Sequence, residues 1–311
     1  MYFMAKVLVV GSYVVDLMSR TPHMPSLGET VLGGPFKMGP GGKGGNQAVA
    51  ASRLGYEVAM LTKVGNDMFG NQALTNFKNE NIDTSNISRH PDEATGTALI
   101  AVDEHGDNMI VVAPGACGKI TESDVLDAKD SFKNADIILT QLETSLEAVK
   151  TTVELAYELG KPVVLNPAPF REISKELLGK INYITPNETE ARLLTGINVI
   201  DETTARQAAI KLTKMGVDKV IITLGKAGCF VYDGTTEGEL IPAFSVDARD
   251  TTGAGDAFNG AFASFVAEGY NFEDAARRAN AVAALAVTKL GTAPAMPYSK
   301  ELEVFLREYS L

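Results

Sequence analysis

Cysteine and histidine are scarce in this sequence, and tryptophan is absent. The 311 residues include two cysteines, Cys117 and Cys229, and three histidines, none in the close spacing typical of zinc ligands. This scarcity argues against a zinc site and against a histidine-based catalytic triad. Two isolated cysteines are typical of a protein from a reducing compartment, so we expect a cytoplasmic location.

Positive charge and long apolar runs are also in short supply. There are 28 Lys and Arg residues against 39 Asp and Glu, a net charge of −11, which argues against nonspecific binding to nucleic acid. No apolar run reaches the roughly 18 residues of a membrane helix, and the first residues lack the pattern of a signal peptide. We therefore expect neither nucleic acid nor a membrane as a partner. An anionic substrate would need a local cation, for which Lys43 is a candidate.

Short, continuously apolar runs recur along the chain and alternate with segments of helical periodicity. Strands of this kind are typical of a parallel sheet that is covered on both faces. The alternation predicts an α/β fold, a three-layer α/β/α sandwich with a mostly parallel central sheet. Two of the predicted helices end at Gly160 and Gly216. The predicted strands are 6–10, 57–65, 136–141, 162–166, 183–187 and 219–225.

Two stretches, 12–40 and 94–113, do not follow this alternation of strands and helices. Both have the alternating pattern of strands separated by turn residues, and the second predicts a hairpin around residues 104–107. We expect the two stretches to form a small β-sheet that covers the main body, and we call them the lid. No linker divides the chain, so residues 1–311 are predicted to form one domain that carries this lid.

A glycine-rich loop, "GPGGKGG", occupies residues 39–45. A nucleotide-binding P-loop needs Gly-x-x-x-x-Gly-Lys followed by Ser or Thr. Here Gly44 follows Lys43, and Lys37 stands where the first glycine should be, so the loop is not a P-loop. Its glycines either make a tight turn or allow a ligand to approach the main chain closely.

A second glycine motif, Gly253-Ala254-Gly255, directly precedes an amphipathic helix with three phenylalanines. Free N–H groups and the helix dipole make such a helix start an anion site. Asp256 follows at once. An aspartate here is either a simple helix-start residue or a base that accepts the proton of a hydroxyl nucleophile during phosphoryl transfer.

The two glycine motifs together resemble the signatures of the ribokinase family of carbohydrate kinases. The matching stretches are "GGKGGNQAVAASRLG" and "DTTGAGDAFNG", with "NPAP" at 166–169 and "TPNETEA" at 185–191, and the similarity runs from about residue 7 to residue 297. The resemblance implies a ribokinase-like fold and ATP-dependent phosphorylation of the 5-hydroxyl of a pentose, with D-ribose as the leading substrate. It also implies Mg²⁺, a monovalent cation such as potassium, and a homodimer joined through the lid.

The resemblance assigns the first glycine motif to the sugar pocket. Asp16 would accept two neighbouring sugar hydroxyls, and Glu143 would lie near the anomeric end. Taken alone, Asp16 is also compatible with a turn at the end of a strand, and Glu143 is better explained as a helix-start residue. The implied substrate-binding residues are Asp16, Gly42, Lys43, Asn46, Glu143 and Asp256, with Gly253, Ala254 and Gly255 as the anion hole and Asp256 as the base.

Nucleotide and cation sites also follow by position. Glu190 would organise Mg²⁺ through water, although Asn187-x-x-Glu190 is also a helix-start pattern. Ala295 stands where many relatives carry a serine ligand, and water could replace that oxygen. The implied nucleotide-binding residues are Asn187, Thr223, Gly225, Gly228, Gly255 and Asn280, and the implied ligands of the monovalent cation are Asp250, Thr252, Ala286, Lys289 and Gly291.

One departure concerns the sugar itself. Ribokinases have Asn where this chain has Val14, two residues before Asp16, and valine cannot bind a hydroxyl. Either another group or water satisfies that hydroxyl, or the substrate lacks it, as 2-deoxy-D-ribose does. Deoxyribokinase is therefore the main alternative. A nucleoside kinase and a non-catalytic sugar-binding protein are further alternatives.

Overall fold

The computed structural model describes residues 5–235 and 237–309. Thirteen strands occur in this part of the chain, nine in a central sheet and four in a small sheet. The central sheet has the strand order β13-β12-β11-β10-β9-β8-β1-β4-β5. Its strands are β1 (Lys6–Val10), β4 (Glu57–Gly65), β5 (Ile82–His90), β8 (Ile137–Gln141), β9 (Val163–Asn166), β10 (Tyr183–Ile184), β11 (Lys219–Thr223), β12 (Cys229–Tyr232) and β13 (Glu239–Ile241).

The central sheet is parallel from β5 to β11 and antiparallel in its last two pairings. The side chains of β1 explain why its sequence is continuously apolar. Val7 and Val9 pack into the hydrophobic core on one face, whereas Leu8 and Val10 pack into a separate core on the other. Helices cover both faces, so the predicted α/β/α sandwich with a mostly parallel sheet is confirmed.

Eleven α-helices fill the outer layers of the described residues. The two that were predicted to end at glycines end as expected, since Gly160 and Gly216 follow α5 and α8 with positive φ. The helices are α1 (Lys43–Arg53), α2 (Met68–Asn79), α3 (Glu122–Asp127), α4 (Lys129–Asn134), α5 (Leu146–Glu158), α6 (Lys175–Leu178), α7 (Glu188–Thr195), α8 (Glu202–Lys214), α9 (Ala254–Glu268), α10 (Phe272–Val287) and α11 (Ser299–Glu308). None of them is both long and apolar enough to cross a membrane.

The lid segments supply all four strands of the small sheet, in the order β3-β2-β6-β7. The strands are β2 (Val14–Arg20), β3 (Phe36–Gly41), β6 (Thr95–Val102) and β7 (Asn108–Gly115). The hairpin predicted around residues 104–107 is present, because β6 and β7 pair antiparallel across that turn. Residues 21–35, which connect β2 and β3, contain three prolines and form neither helix nor strand, in agreement with the expectation of strands separated by turn residues.

Some strand predictions differ from the structure in extent. The predicted strand 183–187 is reduced to Tyr183–Ile184, because Pro186 has no N–H to donate and Asn187 caps α7. Strand β5 was not predicted, since its sequence "IDTSNISRH" is mostly polar. It lies at the edge of the sheet, where half-exposed polar side chains are accommodated.

Candidate active site

The start of α9 combines an exposed main chain with a buried acid. Gly253, the residue before the helix, has φ 80°, a left-handed conformation that favours glycine. A Cβ added to Gly255 would meet no atom within 4 Å, so open space lies directly above this turn. The N–H groups of a first helical turn have no partner within the helix, although the Ala254 N–H here donates to the Thr251 carbonyl, outside the helix, at 3.3 Å. The predicted anion hole, Gly253 to Gly255, therefore has the geometry to receive a negatively charged group.

Asp256 is buried, and both of its carboxylate oxygens accept hydrogen bonds. Asn46 donates to Oδ2 at 2.9 Å, and Gln47 donates to Oδ1 at 3.0 Å. Burial raises the pKa of Asp256, against the lowering effect of Lys43 and of the two amide donors. Each carboxylate oxygen keeps a second acceptor position, so Asp256 can take a further proton donor such as a hydroxyl.

A cleft of about 190 Å³ opens between these groups and the ends of the central strands. It brings together seven of the residues predicted from the sequence. Four further lining residues were given no role at that level, although all four belong to the matching stretches. The predicted residues are Lys43, Asn187, Glu190, Thr223, Gly253, Gly255 and Asp256, and the others are Asn166, Ala168, Thr185 and Asn259.

Asp16 lies on the small sheet, close enough to Asp256 for the two charges to interact. Burial, together with the charges of Glu143 and Asp256, raises its pKa to about 6, although the hydroxyl of Thr292 at 3.3 Å partly offsets this. A Cβ on Gly41 would lie within 2.6 Å of Cγ and both carboxylate oxygens of Asp16. Gly41 is therefore required by the carboxylate itself, a reason that the sequence pattern does not reveal.

Lys43 and Glu143 meet at the start of α1. Gly42 precedes the helix with φ 87°, and Glu143 Oε2 accepts the Lys43 main-chain N–H at 2.9 Å and the Ser12 hydroxyl at 2.5 Å. Burial lowers the pKa of the Lys43 ammonium, but the charges of Asp256, Glu143 and Glu190 outweigh it and raise the pKa overall. Glu143 thus supports the first glycine motif directly, and Lys43 is the cation predicted for an anionic substrate.

Val14 is buried and packs with Ala98 and Cys117 in a small core of its own. It precedes Asp16 by two positions on β2, so the two side chains point to the same face of the small sheet. An apolar side chain therefore borders the Asp16 carboxylate on this face.

Asn187 and Glu190 form a capping box at the start of α7. The Asn187 side chain accepts the Glu190 N–H at 2.8 Å, and Glu190 Oε2 accepts the Asn187 N–H at 2.9 Å. The helix-start interpretation of this motif is therefore confirmed, and it does not exclude a second role. Burial raises the pKa of Glu190, and the nearby Lys43 lowers it again in part.

The predicted nucleotide loop follows β11. Thr223 pairs with Asn187 through an isolated parallel bridge, which ties the loop to the capping box. Gly225 and Gly228 both have positive φ, and a Cβ on Gly225 would meet open space. Asn280, on α10, is buried and donates to the Ile241 carbonyl at 3.3 Å, so it lies at the far end of this loop.

The residues assigned to a monovalent cation are linked by hydrogen bonds. Asp250 Oδ1 accepts the Thr252 N–H at 3.0 Å, and Oδ2 accepts the Gly291 N–H at 2.9 Å. These bonds lower the pKa of Asp250 in spite of its partial burial. The Ala286 carbonyl already accepts the Lys289 N–H at 3.1 Å, which uses one of its two acceptor positions. Within residues 5–235 and 237–309, no three His, Cys, Asp or Glu side chains form a group that could hold a metal ion.

Three contacts of this site were missed at the level of the sequence. Gln47 bonds to Asp256, Thr292 bonds to Asp16, and Ser12 bonds to Glu143. A signal existed for Gln47, because it is the one long polar residue in a run of small and apolar ones on a helix that must pack closely against the sheet. The partners of Thr292 and Ser12 lie more than 130 residues away, so no local pattern indicates them.

Comparison with known proteins identifies the family. The model of the pfkB family of carbohydrate kinases matches residues 4–298. A ribokinase of Haemophilus influenzae is 42% identical over 298 residues, which cover 96% of this chain and 97% of that protein. A deoxyribokinase of Salmonella typhimurium is 38% identical over 302 residues, which cover 96% and 98%.

A solved structure agrees with these matches. Arabidopsis thaliana ribokinase, complexed with ribose and ATP, has a TM-score of 0.93 at 29% identity, and the alignment covers 98% of this chain and 99% of that one. The matches span nearly the full length of each protein, so they concern the whole fold rather than one motif. The chain belongs to the pfkB family of carbohydrate kinases.

Proposed function

We propose that this protein transfers the γ-phosphate of ATP to the 5-hydroxyl of D-ribose and so forms D-ribose 5-phosphate. The observation that carries the proposal is the position of Asp256, a buried carboxylate beside the open first turn of α9. The ribokinases among its relatives, one of them solved with ribose and ATP, support the choice of substrates.

Asp256 acts as the base in this account. It accepts the proton of the 5-hydroxyl as the oxygen attacks the γ-phosphorus and ADP departs. The first-turn N–H groups at Gly253, Ala254 and Gly255 stabilise the charge that develops on the transferred phosphoryl group. The Lys43 ammonium, which lies among the acidic groups, provides a compensating positive charge.

The sugar is held by groups from both sheets. Asp16 accepts hydroxyl hydrogens, and Gly42 exposes its main chain at the positive-φ turn. Asn46 and Glu143 complete the set, although each already has a partner within the protein. The nucleotide follows the loop from Thr223 to Gly228 towards Asn280, and Asn187 lies at its phosphate end.

Two cations are expected. Glu190 lines the cleft and uses one oxygen for the capping box, which fits a role in holding Mg²⁺ through water. When bound, Mg²⁺ neutralises the charge of the β- and γ-phosphates. Each oxygen of Asp250 keeps an acceptor position, so this carboxylate, with the carbonyls of residues 252, 286, 289 and 291, fits a potassium ion beside the anion hole.

2-Deoxy-D-ribose is the second candidate substrate. The observation that favours it is Val14, an apolar side chain on the same face of β2 as Asp16. A hydroxyl left without a partner in a buried pocket weakens binding. The deoxyribokinase relative is consistent with this alternative.

We further propose that the small sheet closes over the sugar as a lid and pairs with a second copy of the chain. Its outer strand β7 is exposed from Asn108 to Pro114, and four neighbouring apolar side chains of this strand are 42–65% exposed. An apolar sheet edge of this kind needs cover. Sedimentation at micromolar concentration is expected to give a dimer, and a monomer would contradict the pairing. The buried, unpaired Cys117 and Cys229 are consistent with a cytoplasmic location.

The substrate assignment is tested by a coupled assay of ADP release with D-ribose, 2-deoxy-D-ribose, D-fructose and adenosine. We expect the highest kcat/KM with ribose, and the phosphate on the 5-oxygen in the product. Preference for 2-deoxyribose would establish the alternative. Preference for adenosine would indicate a nucleoside kinase, and sugar binding without ADP release would indicate a non-catalytic protein.

A further inference from the structure

A chain of buried side-chain amides lies behind Asp256. Gln47 donates from one nitrogen to Asp256 Oδ1 at 3.0 Å and to Asn166 Oδ1 at 3.1 Å. Gln141 in turn donates to Gln47 Oε1 at 2.6 Å. Gln47 and Gln141 are completely buried, and Asn166 is 7% exposed. These contacts engage both hydrogen-bonding atoms of the Gln47 side chain, its amide nitrogen and its oxygen.

The orientation of these side-chain amides is fixed by a group that can act only as a hydrogen-bond acceptor. The Thr185 carbonyl can only accept, and Asn166 donates to it at 3.3 Å, so the Asn166 oxygen must face Gln47. Gln141 holds the Gln47 oxygen. The Gln47 nitrogen is consequently left facing Asp256, because the opposite orientation would place two acceptor oxygens against each other.

The fold brings these amides together from separate elements. Gln141 and Asn166 are the last residues of the neighbouring strands β8 and β9, and Gln47 and Asp256 lie on α1 and α9. Two glycines allow the close approach. A Cβ on Gly260 would overlap the main-chain oxygen of Gln47, and a Cβ on Gly11 would overlap the side-chain oxygen of Gln141.

We propose that Gln47 is a positioning residue that holds the Asp256 carboxylate in its ionised form and turned towards the cleft. The proposal rests on the proposed role of Asp256 as base. An amide stabilises the ionised carboxylate by hydrogen bonding, which opposes the effect of burial, but it adds no charge. A lysine or arginine at position 47 would lower the pKa much further and make Asp256 a weak base.

The charged groups around Asp256 do not supply this contact. Lys43 attracts the ionised form, whereas Glu143 and Asp16 oppose it, and Glu190 also interacts with Asp256. These charges act on Asp256 from several directions and do not fix the rotamer of its side chain. Gln47 and Asn46 are the two donors bonded to the carboxylate, one on each oxygen. Asn46 is assigned to the sugar, whereas Gln47 has no proposed contact with a substrate and bonds to Asp256 and to the two amides behind it.

The test is the pH profile of kcat for Gln47→Met, a substitution that keeps the side-chain length and removes the donor. Loss of a hydrogen bond to a charged group is expected to move the acid limb of the profile upward by roughly one pH unit, so that kcat below the limb falls about tenfold. The KM for the sugar is expected to change much less than kcat. Thr152→Val, which removes a buried hydroxyl of α5 that bonds to none of these amides, is the matched control and should leave the limb in place.

Gln141→Met provides a second variant, because it releases the Gln47 oxygen without touching Asp256. A shift of the same sign but smaller size is expected, with thermal unfolding measured for each variant to confirm a folded protein. An unchanged limb in a folded Gln47→Met or Gln141→Met protein overturns the proposal. A wild-type protein without kinase activity overturns the proposed function instead, so the two failures are distinguishable.

Discussion

Gly41 lies so close to Asp16 that a single added methyl group would overlap the Asp16 carboxylate. The two residues are on paired strands of the small sheet, with Asp16 opposite Gly39 and Gly41 opposite Val14. The glycine motif thus shapes the pocket by leaving room for the acid that is proposed to bind the sugar. The same sheet offers Gly39, where a Cβ would meet nothing within 4 Å, as a reference position.

Gly41→Ala is expected to raise the KM for ribose by roughly 10- to 100-fold, the effect of losing a hydrogen bond to a charged group. The reason is that the Asp16 carboxylate must turn away from its present position. Steady-state kinetics with ribose varied at saturating ATP measures this change. Gly39→Ala is the matched control and should leave the KM unchanged, and equal KM values for the two variants would remove Asp16 from the sugar site.

Asp16→Asn is expected to stabilise the protein while weakening its affinity for ribose. The pKa of Asp16 in the folded protein is about 6, above its ordinary value of 3.8, so the folded state binds more protons between these values. The free energy of unfolding therefore falls as the pH rises from about 4 to about 6 and stays lowered above that. The variant lacks this loss because its amide carries no charge.

The measurement is the Tm of both proteins from pH 4 to pH 8. The gain in Tm of Asp16→Asn should grow up to about pH 6 and then level off. Asp92→Asn, which removes a carboxylate from the exposed surface, serves as the control. A Tm of Asp16→Asn that lies below that of the wild type at pH 8 would mean that the Asp16 charge is stabilising.

Sequence alone predicted the layered fold because its central strands are apolar on both faces. Strand β5 escaped prediction for the opposite reason, since an edge strand with polar, half-exposed side chains has no such pattern. Residues 21–35 separate two strands of the lid, because Pro22, Pro25 and Pro35 cannot donate to a ladder.

The candidate site also combines features that the sequence predicts with features that it does not. A glycine motif at a helix start can be recognised within one segment of the sequence, because it leaves main-chain N–H groups open to a ligand. Lys43, Gly255 and Asp256, which belong to the two motifs of this kind, line one cleft. The amide chain of Gln47, Gln141 and Asn166 joins residues 94 and 119 positions apart. Such contacts depend on tertiary packing, here on the close approach of α1 and α9, and a single sequence carries no local signal for them.

Val14→Asn is expected to move the ratio of kcat/KM values for ribose and 2-deoxyribose towards ribose by about one decade, since one neutral hydrogen bond contributes roughly 0.5–1.5 kcal/mol. The new amide would lie on the face of β2 that carries Asp16. The ratio is measured by competition of the two sugars in the coupled assay. Val14→Ala, which keeps the position apolar, is the control, and an Asn variant with the wild-type ratio would show that position 14 does not contact the 2-hydroxyl.

The most direct measurement of the account is the turnover of Asp256→Asn. Without the base, kcat with ribose is expected to fall by roughly 10²- to 10⁴-fold, the usual contribution of general base catalysis. The amide can still take part in hydrogen bonds, so the Kd for ribose, measured by calorimetry, should change little. A folded Asp256→Asn protein that retains near-normal kcat would contradict the assignment of Asp256 as the base of a sugar kinase.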